Sequence, residues 1–164
     1  MKRTASIATP ATVPIRPTGL ARPSPPSTVT VSVALWLGAI LAGVGEAFVR
    51  LAAPDAPAPD ELAVRFGIYL VLAVLVLALR RGHDAVRWTV AVLLGGLGTL
   101  SLVVEPFGYL ATGGSAGAFL ATANGPELVA AGLRGLHVAE VLVALALLFH
   151  PSSTAFFRHR RPGR

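Results

Sequence analysis

"FGIYLVLAVLVLAL", residues 66–79, decides how this chain folds. The stretch holds no ion and no proline, and its apolar residues do not alternate with polar ones. A barrel strand would alternate over about ten residues. Together with the residues from Glu61 onward, the run approaches the ~20 residues that a helix needs to cross a ~30 Å hydrocarbon core. Three further apolar segments have similar length, at about 31–53, 86–104 and 128–149. All thirteen prolines lie outside these four segments. A proline inside a helix removes a backbone hydrogen bond and clashes with the preceding turn, so this distribution predicts four whole helices.

Composition points the same way. Hydrophobic residues make up 54% of the 164 residues and charged residues 13%, with mean hydropathy +0.68. A soluble domain carries roughly 25% charged residues. Too few polar side chains exist to cover a water-facing surface, so lipid is the expected solvent. There is no cysteine, which excludes disulfides, thiolate metal sites and thiol catalysis. The net charge of +6 could mean nucleic acid. The basic residues flank apolar runs rather than forming a folded basic face, so no nucleic-acid partner is expected.

The expected fold class is therefore all-α: a four-transmembrane-helix bundle over 31–150. Residues 1–30 carry six prolines and four cations without apolar period, and read as a disordered basic tail. An uncleaved first span is favoured over a secretory signal, whose apolar core would lie closer behind its basic start. Residues 151–164 form a second basic tail. Eleven of the fourteen cations fall in the two tails and the turn "RRGHDAVR" (80–87), joined by Asp84 alone of the eight acids. The positive-inside rule then predicts a multi-pass protein of the cell membrane with both termini cytoplasmic. Trp36 and Trp88 are expected at the cytoplasmic interface. Phe156 and Phe157 are expected in the head-group zone, and the arginines beside them are expected to meet anionic lipid.

The connection 105–127 is expected to be the one long outer loop, with "GAFLATA" (117–123) as a short interfacial helix. "NGPE" (124–127) fits a helix start, with Pro126 at its first position.

Seven ionisable residues fall inside or at the edge of the apolar segments: Glu46, Arg50, Arg65, Glu105, Arg134, His137 and Glu140. At 1.5 Å per residue, Glu46 lies roughly 12 Å inside Pro54, and Arg134, His137 and Glu140 roughly 10, 15 and 20 Å from Glu127. All seven thus sit between the membrane middle and its outer face. A lone charge at the bilayer centre costs about 2.5–3.5 kcal/mol on insertion scales, so such groups face the bundle. Glu46 and Arg50 share a ~100° arc with Ala39, Ala42 and Gly43, a face of small residues that admits a close neighbour. In the last segment, Ala131, Gly135 and Ala139 line one side, and Arg134, His137 and Glu140 nearly the opposite one.

The leading reading of this cluster is an interhelical ion-pair network, with Arg50 and Arg65 also able to snorkel outward. The alternative is an outward-facing ionisable pocket for a small polar ligand or a proton. A metal site is weaker still. "HVAE" puts His137 and Glu140 on one face, but two ligands do not make a site, and Glu46 would have to be the third. No cofactor is expected, and Ser101 and Ser115 lack a nucleophile motif. The span "RWTVAVLLGGLGTLSLVVEP" (87–106) and the ending "LLFHPSSTAFFR" (147–158) resemble those of small four-span bacterial integral membrane proteins of unknown function. That resemblance covers about residues 31–158 and implies membrane residence. The expected role is non-enzymatic, acting through helix packing, a second copy or a partner membrane subunit. A transporter-like or sensing protein is the alternative, and an intramembrane enzyme comes third.

Overall fold

The computed structural model describes residues 24–51 and 57–159. Among them every regular element is helical: α1 (Ser27–Leu51), α2 (Pro59–Ala78), α3 (Asp84–Val90), α4 (Thr99–Ala111), α5 (Ala116–Thr122), α6 (Gly125–Leu148) and α7 (Pro151–His159). A 3-10 turn, Leu79–Arg81, extends α2. A π-helical stretch, Ala91–Gly98, joins α3 to α4 without a break. Gly95, Gly96 and Gly98 fall in that stretch, where the missing side chains let the turns widen. Four rods are long and apolar enough to cross a membrane: Ser27–Leu51, Pro59–Arg81, Asp84–Ala111 and Gly125–Leu148.

α1 is the hub. Of its most apolar window 44% is buried, against 11% in each of the other three rods. It runs antiparallel to α6 and carries α2 on another flank, while the third rod packs against α6 and α2. The antiparallel register shows in the contacts. Ser32 Oγ donates to the Ala144 carbonyl at 2.8 Å, Gly38 meets Glu140, and Gly45 meets Leu133.

The ends of the rods follow from local chemistry. Pro25 and Pro26 precede α1, and the Pro26 carbonyl accepts from the amides of Val29 and Thr30. α6 opens with a capping box: Asn124 Oδ1 accepts from the Glu127 amide at 3.0 Å, and Glu127 Oε2 from the Asn124 amide at 2.8 Å. α4 closes at Gly113, whose φ of +92° lets the amides of Gly113 and Gly114 return to the carbonyls of Leu110 and Tyr109.

Several boundaries differ from the sequence reading. α1 begins at Ser27, within the stretch assigned to the tail; residues 1–23 lie outside the described residues. The third rod does not stop at 104 but runs to Ala111, with Pro106 inside it. Pro106 removes one backbone donor there, yet the helix continues for five residues beyond it. The outer loop 105–127 thus shrinks to the two short links around α5. Residues 151–159 are helical rather than tail, and Arg160, Arg161 and Arg164 lie outside the described residues.

The aromatic placements differ as well. Trp88 is exposed, but Trp36 and Phe157 are fully buried and Phe156 nearly so. The reason is that α7 folds back. Ser153 Oγ, with one proton to give, stands 2.8 Å from Thr28 Oγ1 and 2.7 Å from the Leu147 carbonyl, and the Phe pair is seated in the core with Trp36, Leu79, Val90 and Leu148. Arg87 locks this end. Its side chain is 6% exposed, Nη2 donates to Thr154 Oγ1 at 3.0 Å, and Nη1 lies 3.7 Å from Asp84. Its guanidinium sits 4.2 Å from the Phe149 ring centroid and 5.3 Å from that of Phe157.

Arg87→Ala should therefore loosen α7 by about 1–3 kcal/mol, read as faster amide exchange over 151–159. Arg87→Lys should recover less than half of that protection, because an ammonium cannot stack on two rings and bridge Asp84 to Thr154 together.

Candidate functional site

Glu46 is the centre of the polar layer. It stands on the small-residue face of α1, where its residue is 8% exposed. Its Oε1 accepts from Arg134 Nη2 of α6 at 2.7 Å and from Arg50 Nη2 at 3.2 Å, one turn along α1. Arg134 Nη1 donates at 2.9 Å to Glu105 Oε2 of α4, and Arg50 Nη2 stands 3.6 Å from the same oxygen. Two carboxylates and two guanidiniums thus alternate around a closed, neutral ring that ties three helices together.

The members of the ring are unequal. The Glu46 and Arg134 side chains are 11% and 21% exposed, while Arg50 and Glu105 are 44% and 69% exposed. A short, charge-assisted bond between sheltered partners is strong, and removing one partner strands the other. An exposed pair contributes only about 0–1 kcal/mol. Glu46–Arg134 is therefore the bond that holds, and the Arg50–Glu105 side closes it toward solvent.

Three of the seven sequence-predicted residues stand outside the ring. Arg65 of α2 forms no ion pair among the described residues; it lines an open groove with Asp60, Glu61, Val64, Ile68 and Tyr69. His137 and Glu140 lie deeper along α6. His137 Nδ1 and Glu140 Oε2 are both buried without a hydrogen-bond partner. Glu140 rests directly on Gly38, so close that a methyl group there would come 2.5 Å from Oε1. The His137 ring and the Tyr69 hydroxyl meet over Gly43, at 3.6 and 3.1 Å from where its methyl group would stand. Among the described residues no group of three metal-ligating side chains comes together, so His137 and Glu140 gain no third ligand.

Two further polar atoms at this depth escaped the sequence reading. Trp36 Nε1 and Thr99 Oγ1 are buried without a partner. The third rod and α6 run antiparallel from the Glu105–Arg134 bond to the Gly95–Leu145 contact. That register sets Thr99 level with Glu140. The polar layer is thus two layers: the neutral ring, in which Arg134 Nε alone is buried without a partner, and a second set of buried polar atoms beyond it that find none among the described residues. Tyr69 carried a signal in the sequence, as the one hydroxyl in its apolar run. Thr99 carried none beyond its company of glycines.

The ring makes a graded prediction. Glu46→Gln should cost about 3–5 kcal/mol, because it leaves Arg134 sheltered and short of its counter-charge. Arg50→Gln should cost under ~1 kcal/mol. Reversible unfolding of the purified chain in mixed micelles would measure both, and equal losses would contradict the ranking. No family model, no curated protein and no solved structure matches this chain.

Proposed function

We propose that this chain is a four-pass integral membrane protein of the cell membrane with both termini cytoplasmic. It works without catalysis, as a packing unit for a second copy or a partner membrane subunit. The observation that carries this reading is the closed ring. Four of the seven ionisable groups that could have lined an outward pocket are spent on one another, in a neutral bond network that joins α1, α4 and α6. The exposed faces support the association. Ala131, Gly135 and Ala139 were expected against a neighbour, yet all three are exposed, and nothing lies within 4 Å of where a methyl group on Gly132 or Gly135 would stand. Small residues on an outward row let a second helix approach closely.

The absence of cysteine makes the test clean. Gly135→Cys should give a disulfide-linked dimer in native membranes under mild oxidant, and Gly135→Leu should abolish the association. Monomer under every condition would sink the reading. Reporter fusions at Arg81 and Arg164 should read cytoplasmic and one at Ser115 external; an external carboxyl end would reverse the topology.

A second reading, a transporter-like or sensing role, is favoured by one observation. The unpartnered Glu140 and His137 form a deeper polar layer that no internal bond closes. Glu140→Gln would then fold with unchanged stability and lose an ion- or proton-dependent signal in proteoliposomes. If that variant alters neither, the deeper layer is inert.

A further inference from the structure

The first three turns of α2 hold a second set of charges with a different fate from the ring. Asp60, Glu61, Val64, Arg65, Ile68 and Tyr69 line one open groove. Glu61 and Arg65 stand four residues apart, the spacing at which a helix pairs opposite charges. Even so, neither they nor Asp60 forms an ion pair or side-chain hydrogen bond among the described residues. The wall behind them is fixed: Tyr69 packs edge-on to Phe66 at 6.3 Å, and Phe66 stands 5.8 Å from Phe48 of α1. Val64 and Ile68 are exposed at 64% and 52%.

The order of chemistry along the helix axis is what identifies a ligand. Two carboxylates come first, at the start of α2. The guanidinium follows about 6–8 Å further along, with Val64 beside it and Ile68 about one turn beyond. The head-group zone of one leaflet is about 5–7 Å thick. A phospholipid whose head group ends in a primary ammonium presents the complementary order: ammonium outermost, phosphodiester next, acyl chain inward.

We propose that this groove is a binding site for an ethanolamine-type phospholipid. The ammonium donates to Asp60 and Glu61, the phosphodiester oxygens accept from Arg65, and one acyl chain lies along Val64 and Ile68. A guanidinium suits a phosphodiester because its fork can give two parallel hydrogen bonds. The groove carries two negative charges and one positive. It therefore disfavours an anionic glycerol lipid, which would face two carboxylates with no ammonium. A choline head group fits less well, since its quaternary nitrogen has no N–H to donate. The match holds whichever side of the membrane the start of α2 faces. It rests on the membrane reading of α2, which fractionation of the full chain with membranes tests separately.

The test uses the full chain in nanodiscs of choline lipid doped equally with ethanolamine and glycerol phospholipids, with bound lipid identified by native mass spectrometry. Ethanolamine lipid should be retained above both others. Arg65→Gln should lower its retention about tenfold, the change that ~1.4 kcal/mol brings. Asp60→Asn with Glu61→Gln should shift the preference toward the glycerol lipid. Arg65 holds no partner among the described residues, so its variant should unfold at the wild-type midpoint in mixed micelles. Soluble phosphoethanolamine at millimolar concentration should fail to displace the lipid; full displacement would identify the free head group as the ligand and overturn the lipid assignment. Equal retention of the three lipids, or retention unmoved by Arg65→Gln, would overturn the site.

Discussion

The bond from Arg134 to Glu46, at 2.7 Å, sets the register of the two helices from which the rest of the structure is built. α1 and α6 lie side by side along most of their length, and a seam of that kind can slip by a turn at small cost in apolar contact. It cannot slip here without parting two sheltered ions. A one-turn shift would move Glu46 about 5.4 Å from its partner, into surroundings where a lone charge costs about 2.5–3.5 kcal/mol. Once that register is fixed, Ser32 falls opposite the Ala144 carbonyl, Gly38 opposite Glu140, and Gly45 opposite Leu133. The glycines follow from the ions: a larger residue at Gly38 would push on the Glu140 carboxylate, and one at Gly43 on the Tyr69 hydroxyl. Buried ion pairs are weak sources of stability and good sources of specificity. This ring has the second character.

The two ends of the bundle are held by different physics. At one end the ring supplies charge. At the other, Thr28, Ser152 and Ser153 exchange hydroxyl hydrogen bonds, and Arg87 sits between two phenylalanine rings to pin α7. The exposed apolar residues of α2, the third rod and α6 give no cohesion between helices in lipid, where tails are as apolar as leucine. What holds such a bundle is close packing and polar contact. α1 supplies both, through its small residues and Glu46, which accounts for its far greater burial.

Much of the fold was legible because the solvent is written into the composition. Apolar runs near twenty residues without proline leave little choice but a helix, and four of them gave four rods. The boundaries were less legible, for specific reasons. Pro106 reads as a stop, but the helix runs through it to Ala111. "HPSSTAFFR" reads as a tail because its helix is short and half polar; contacts distant in sequence, Thr28 with Ser153 125 residues away and Arg87 with Thr154, hold it back against the bundle. Trp36 reads as an interfacial anchor by its place near a span end, and the returning α7 covers it. The ring was legible as a set of ions but not as a ring. Helical angles placed Glu46 and Arg134 on inward faces, yet nothing in the spacing chose Glu105 over Arg65's side of the bundle. Arg87 was counted as one more cation of a basic turn, since local sequence does not show that Phe149 and Phe157 close over it.

The distribution of ions follows one constraint, that a sheltered charge is stabilised where it meets its opposite within reach of its own helix contacts. α1, α4 and α6 meet at the ring, and there two acids and two bases cancel. α2 touches α1 through Phe66 and Tyr69, which stack and fill but carry no charge toward the ring. Arg65 sits on the same helix as Asp60 and Glu61 and still pairs with neither, so the bundle leaves its neutralisation to the surroundings. An ion on a membrane helix that its own protein does not satisfy is satisfied by lipid or water. For Arg65, about one turn along α2 from two carboxylates, the lipid site proposed above supplies that partner as a head-group phosphate. The same rule separates the deeper layer from the outer one. Glu140 and His137 lie further along α6 than the ring, where Oε2 and Nδ1 find no hydrogen-bond partner among the described residues, which makes them the positions where a change of state would be felt across the α1–α6 seam.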